Sequence, residues 1–319
     1  MYIARDDNSL LLKNKTKRLN MVSVRPLPPA LAEKARAELG ETPEALTAGI
    51  QHLKDWIHSQ PHLRARTDDQ WLAAFLRGCK FRLEQAKAKL DLYYSLKTTA
   101  PDLYTLRYND PKVCEIIERG TIVMLPRTRT PDSPRVTMLR IGTCNTKEHT
   151  VLEVMAVFNF LNQINFIEDD NFTVAGVINI IDLRNSVFAH YTQASIKQIR
   201  NIISAHQDAL PVRIKQAHFI GAPYMFYALM NIIKIFLSEK VKNRFHMHND
   251  IDTLHEFVPP ELLPEEYGGT GPTLREIKDH WKQKVVDYHG FYEEDLQFQT
   301  DEALRVKEGK KNKTNLNID

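Results

Sequence analysis

The chain has 319 residues, 43% of them hydrophobic and 26% charged, with a formal net charge of +3. That length accommodates one large core or a small domain beside a larger one, and the composition is that of an ordinary globular protein. So small an excess of positive charge gives no indication of nucleic acid, and any basic function has to come from local clustering. Cys79, Cys114 and Cys144 form no C-x-x-C pair. Their odd number argues against a disulfide framework and predicts buried, reduced thiols.

Residues 1–25 read as a polar, flexible extension carrying Lys13, Lys15, Lys17 and Arg18. Leu10–Leu12 is too short for the core of a signal peptide, so a cytoplasmic chain is expected. Residues 26–100 form a helical domain. Leu31–Leu39 and then Leu46, Ile50, Leu53, Trp56 and Ile57 follow helical spacing; Thr67-Asp68-Asp69 caps a third helix, and Leu83 to Leu96 makes a fourth.

After Asp110-Pro111 the pattern changes. Thr121–Leu125 and Arg135–Ile141 are short β-rich runs, Val151–Ile164 is helical, and Val174–Leu183 is almost continuously apolar, as in a strand buried on both faces. A helix from Thr192 to about Ala209, a strand over Arg213–Ile220 and an apolar helix over Ala222–Leu237 follow. Alternating strands and helices predict an α/β domain over 111–285 with a mainly parallel sheet, leaving 286–319 as a C-terminal helix and a loose, charged tail. As a helix, Ala222–Leu237 would reach about 24 Å, short of the ~30 Å hydrocarbon core of a bilayer.

No phosphate-binding glycine loop, nucleophile elbow or zinc-protease motif is present. His246 and His248 share a face only on a strand and lack a third ligand, so packing at a helix end is preferred to metal. Glu168, Asp169 and Asp170 are consecutive, which reads as a solvated loop rather than an acid/base pair. No activated nucleophile emerges, so a binding protein is expected, not an enzyme, with neither metal nor cofactor.

Several strings are recognisable together: FLRGCKF (Phe75–Phe81), IIDL (Ile180–Leu183), DALPVRIKQAHFIGAP (Asp208–Pro223), FLSEKVKNRFHMH (Phe236–His248) and LLPEEYGG (Leu262–Gly269). In this order they resemble the CRAL-TRIO lipid-binding family, in its tocopherol-transfer and retinaldehyde-binding branch, over roughly residues 45–285. The resemblance implies a helical N-terminal domain followed by an α/β domain that encloses an apolar lipid pocket behind a helical gate. Pattern alone makes Ala222–Leu237 a plain core helix; its place in the family makes it the gate. Tyr224, Tyr227, Asn231 and Lys234 form a polar stripe, and Phe226, Leu229, Ile232, Ile233 and Phe236 fill the opposite face.

By the same resemblance the pocket is lined by Phe188, Ile202, Ala205, His206, Val212, Phe226 and Leu229. His206 stands where that branch has an apolar residue, and it either bonds a polar group of the cargo or points away. Arg213, Lys240 and Arg244 match basic positions that hold a phosphoinositide head group in that branch, and Lys215 adds a fourth cation; the bland alternative is a solvated charged face. Cys79 departs from a position that is often basic, with Lys80 beside it. The implied function is a monomeric intracellular carrier of one small hydrophobic lipid (tocopherol, retinoid, carotenoid or similar). It would exchange cargo at phosphoinositide-containing membranes by reversible association, without nucleic acid. A phosphoinositide-sensing signalling adaptor with a structural pocket is the alternative.

Overall fold

The computed structural model describes residues 23–104 and 106–306, so most of the expected N-terminal extension lies outside the described residues. The helical domain opens with α1, Pro29–Lys34, continuing as a π-helical turn, Ala35–Leu39. Leu31, Ala35 and Leu39 bury one face of this element against Val174 and Ala175. There follow α2 (Pro43–Ser59), the two-residue strand β1 (Leu63–Arg64), α3 (Asp69–Gly78) and α4 (Leu83–Thr99). Thr42 caps α2, its side chain accepting from Ala45 N, and a proline at the first turn starts the helix without losing a bonded N–H. Trp71 packs against Tyr93 and Phe166 at centroid separations of 5.6 and 5.8 Å, which ties this domain to the next.

The second domain comprises α5 (Pro111–Glu118), β2 (Ile122–Met124), β3 (Arg135–Arg140), α6 (Val151–Glu168), β4 (Val177–Asp182), α7 (Ala189–Thr192) and α8 (Ile196–Ile203). It continues with β5 (Ile214–Ile220), α9 (Tyr224–Phe236), α10 (Glu239–Lys242), β6 (Phe245–His248), α11 (Asp252–His255) and α12 (Leu274–Asp287). The sheet runs β2-β3-β4-β5-β6; β2 pairs antiparallel with β3, and every other pairing is parallel. Consecutive parallel neighbours joined by right-handed crossovers place α6, α8 and α9 on one face of the sheet. This is the expected α/β architecture.

Several local expectations are corrected. The β4 strand begins at Val177, because Asn171–Ala175 closes a π-helical turn and Gly176, at φ 90°, breaks the apolar run. The helix expected over Thr192–Ala209 is split by the Ser195 cap and ends in a second π-helical turn, Ser204–Ala209. Arg213 precedes β5, and Arg244 lies between α10 and β6. His246 and His248 lie on strand β6, paired with β5, not at a helix end; His218 Nδ1 lies 2.9 Å from His248 Nε2, and the His218 ring stacks on His246 at 4.9 Å. Asp169 and Asp170 are not solvated: they pair with Arg135 and with Arg25 and Arg77. Of the cysteines only Cys79 is buried; Cys114 is exposed.

Most of the expected charged tail, residues 307–319, lies outside the described residues. Helix α13 (His289–Asp295) and strand β7 (Gln299–Thr300) return to the helical domain, where β7 pairs with β1. Arg305 bonds Asp91 at 2.7 Å.

Candidate functional site

Two spaces meet at the junction of the domains. The outer one is a cleft of about 260 Å³ between the end of α3, the start of α4, the 206–215 segment and the α10 region. The inner one is a cavity of about 90 Å³ between α6 and strands β3 to β5. His206, Val212 and Ile214 line both.

Two glycines make the cleft possible. A Cβ on Gly78 would stand 2.3 Å from Pro211 O, so only glycine lets the end of α3 close on the 210–212 segment. At Gly176 a Cβ would stand 2.3 Å from Arg213 O, and the carbonyl so admitted accepts from Val177 N at 3.0 Å, which fixes the backbone of Arg213. The turn after α3 places Lys80 and Phe81 in the left-handed region, at φ 52° and 57°. Side chains rarely adopt it, and Phe81 N donates to Leu76 O at 2.8 Å to hold the turn.

The cleft is strongly cationic. Lys80, Arg82, Lys89, Arg213, Lys215, Lys240 and Arg244 line it, and Glu38 on the turn after α1 is its one acid. The sequence-predicted residues Arg213, Lys215, Lys240 and Arg244 are thus brought together. Cys79 is buried away from the lining, and Lys80 faces the cleft. Lys89 is already held, donating to the carbonyls of Gln207, Asp208 and Leu210 at 2.9, 2.9 and 3.2 Å. Arg244 donates to Ile214 O. Arg213 is different. Among the described residues its acid partner is Glu38, 3.7 Å away, and its Nε and Nη2 are buried with no partner among them. Burial lowers the pKa of Arg213 and of Lys215, which shows how poorly their charges are solvated.

The inner cavity is less apolar than expected. The register sets Thr137 opposite Asn179, and the Thr137 hydroxyl donates to Asn179 Oδ1 at 2.7 Å. Asn162 Oδ1 is buried without a partner among the described residues. Burial drives the His206 pKa down to about 4, so the imidazole is neutral at physiological pH. Phe158, Phe172, Val177 and Leu210 supply the apolar walls. Of the seven expected lining residues, His206 and Val212 are walls. Ala205 is buried in the core, Phe226 is buried on α9, Ile202 and Leu229 are half-buried, and Phe188 is 65% exposed on the outside.

On α9 the polar stripe Tyr224, Tyr227, Asn231 and Lys234 is exposed throughout. Phe226 and Met230 are buried against Leu183, Ala217 and Phe219. Tyr224, Tyr227 and Ile235 join the exposed Val187 and Phe188 as large apolar side chains on the surface near α7 and α9. Among the described residues no helix is long and apolar enough to cross a membrane, and no cluster of metal-ligating side chains is found.

A helical domain packed on an α/β domain with a mainly parallel sheet is the architecture the resemblance implied, and sequence comparison agrees: the chain belongs to the CRAL-TRIO family of lipid-binding and transfer proteins. Residues 119–269 match the CRAL/TRIO domain, and residues 42–115 match the Pinta-like, UBA domain. Clavesin-2 of Homo sapiens is 29% identical over 289 residues, covering 89% of this chain and 86% of that protein. Alpha-tocopherol transfer protein-like of Homo sapiens is 31% identical over 250 residues, covering 76% of this chain and 71% of that protein. The crystal structure of Sfh5 shares the fold, with a TM-score of 0.50 at 13% identity over 83% of this chain and 99% of that one.

Proposed function

We propose that the protein carries one small hydrophobic lipid in the inner cavity, enlarged on loading, and exchanges it at membranes whose phosphoinositide head groups enter the cationic cleft. The observation that carries this reading is Arg213. A buried guanidinium with two unpartnered donors is costly unless an acceptor arrives, and a polyphosphate supplies acceptors and countercharge together. Six further basic side chains surround that position. The exposed apolar residues Val187, Phe188, Tyr224 and Tyr227 offer a surface to the lipid interface.

The inner cavity holds a handful of waters but not a lipid. Loading therefore requires the 204–212 segment, which supplies His206, Leu210 and Val212 to the wall, to move, with α9 as the gate that the family resemblance implies. With Asn162 and His206 on its wall, the cavity favours a cargo bearing a polar group such as a hydroxyl. The relative named alpha-tocopherol transfer protein-like supports carriage. The small cavity favours one competing reading, a phosphoinositide-sensing adaptor whose pocket is structural.

Reversing Arg213 and Arg244 to Glu is expected to abolish sedimentation with vesicles containing a phosphoinositide bisphosphate, while lipid extracted from the purified protein stays stoichiometric by mass spectrometry. Unchanged vesicle binding would overturn the membrane half of the proposal. An extract without apolar lipid, from variant and wild type alike, would overturn the carrier half in favour of the adaptor.

A further inference from the structure

The geometry points to a second binding surface, a groove between α1 and α12 whose occupant is this chain's own basic segment, residues 10–18. The groove has a volume of about 630 Å³, larger than the cationic cleft. Residues from the end of β2 and the end of α6 join those of α1 and α12 in lining it. It shares no lining residue with the cleft or the inner cavity, so the inference is independent of the lipid reading.

Three observations define the occupant. First, a donor lacks its acceptor. Asn165 of α6 lines the groove and is 5% exposed, and its Nδ2 is buried with no partner among the described residues. An unmet amide donor is costly, and a peptide carbonyl is an acceptor that meets it. Second, the lining is acidic, the reverse of the cleft: Glu168, Asp169, Asp170 and Glu276 outnumber Arg135 and Lys284. Lys284, Arg135 and Arg25 engage the first three of these carboxylates. Glu276 is exposed and meets no cation among the described residues; its carboxylate accepts from Thr273 at 2.9 Å, at the start of its own helix. Third, the chain enters the described fold along this groove. Arg25 donates to Asp170 Oδ2 at 2.9 Å and to Glu168 O at 3.0 Å, and Pro28 forms part of the wall.

The sequence that precedes this entry has the matching chemistry. Leu10-Leu11-Leu12 is followed by Lys13, Lys15, Lys17 and Arg18, with no acid before Ser23. These residues lie outside the described ones. An extended chain covers about 3.3 Å per residue, so the five to ten residues from the basic cluster to Ser23 reach roughly 16 to 33 Å, enough to turn back to the wall at Pro28 and Glu168. Tethering holds the segment at an effective concentration on the order of millimolar, so weak contacts suffice. In the docked state a main-chain carbonyl accepts from Asn165 Nδ2, the leucines cover the exposed prolines Pro28 and Pro126 at the rim, and the cations face Glu276. The segment then bridges α1 of the helical domain and α12 of the other.

The test is photocrosslinking in the full chain, with p-benzoylphenylalanine in place of Leu11, which leaves every described residue unchanged. Mass spectrometry of the irradiated monomer maps the partners, and cross-links are expected within residues 124–126 and 272–284. Replacing Lys13, Lys15, Lys17 and Arg18 by Ser is expected to lower their yield about tenfold, and high salt to lower it severalfold. Glu276→Gln, which keeps the helix cap, and Asn165→Ala should each lower it about two- to threefold, with melting temperature as the check on the fold. Cross-links scattered outside the groove would overturn the proposal, as would a yield in the groove that neutralising the four cations leaves unchanged. Cross-links confined to a covalent dimer would make a second copy the donor of the segment and overturn docking within one chain.

Discussion

At the scale of single residues, His206 couples the cavity to pH. Its folded-state pKa of about 4 lies below the ordinary 6.5, so between those values the unfolded chain binds a proton that the native protein does not. The sign follows: this contribution to stability is complete above pH 6.5, declines as pH falls through 6.5 toward 4, and is lost below that. His218, driven to about 3 by burial and by His246 and His248, adds in the same direction. His206→Gln is therefore expected to flatten the acid side of the stability profile by up to about 1.4 kcal/mol per pH unit, read from urea unfolding at successive pH values. A profile identical to wild type would mean that His206 is not held neutral by burial. The same residue shows what a sequence conveys and what it omits. That a histidine stands where the family's branch has an apolar side chain came from the resemblance; that Asn162 and Asn179 share its cavity required the register of β3 and β4 and the packing of α6.

At the scale of elements, α9 divides its apolar content between two jobs. Phe226 and Met230 are 4% and 6% exposed, whereas Tyr224 and Ile235 are 92% and 75% exposed. The polar stripe was legible because Tyr224, Tyr227, Asn231 and Lys234 repeat at helical spacing. Ile235 was not placed, because it lies four residues after Asn231 and thus on the solvent side despite its chemistry. Met230 stands four residues after Phe226, at the centre of the buried seam. Phe226→Ala is expected to lower stability by about 3–5 kcal/mol in thermal or denaturant unfolding, since it opens a cavity against Phe219 and Leu183. Ile235→Ser should leave stability within about 0.5 kcal/mol and weaken partition into vesicles. The opposite outcome, a stable Phe226 variant and an unstable Ile235 variant, would mean that α9 is seated the other way round. The basic cluster was legible for a similar reason, as close spacing in the string brought Arg213 near Lys215 and Lys240 near Arg244. Glu38 was not, because its helix enters the cleft from a distant part of the chain and no local pattern reports a contact of that range.

At the scale of the whole molecule, the helical domain is completed by the end of the described chain. Arg66, 2% exposed, lies over the Phe291 ring at 4.0 Å and donates to Phe291 O at 3.1 Å. Lys97 is paired with Asp295 at 2.6 Å, and Asp295 also accepts from Gln163 of α6 at 3.1 Å, so one carboxylate joins both domains. Burial lowers the Lys97 pKa while Asp295 raises it, as expected of a cation that depends on its partner. Removing that partner leaves an uncompensated buried charge, so Asp295→Asn is expected to cost about 3–5 kcal/mol, whereas pairing Asp295→Leu with Lys97→Met should recover much of the loss. Ending the chain after Asp287 should go further and release hydrogen-exchange protection at Leu72–Leu76, which pack beside Tyr93 in the same core. Protection there that survives the truncation would show the four N-terminal helices to be a unit that needs no closing strand. The cleft inherits this dependence, because the turn after α3 delivers Lys80 and α4 delivers Lys89 from that same core, and loosening it should weaken vesicle binding without removing a cationic residue of the cleft.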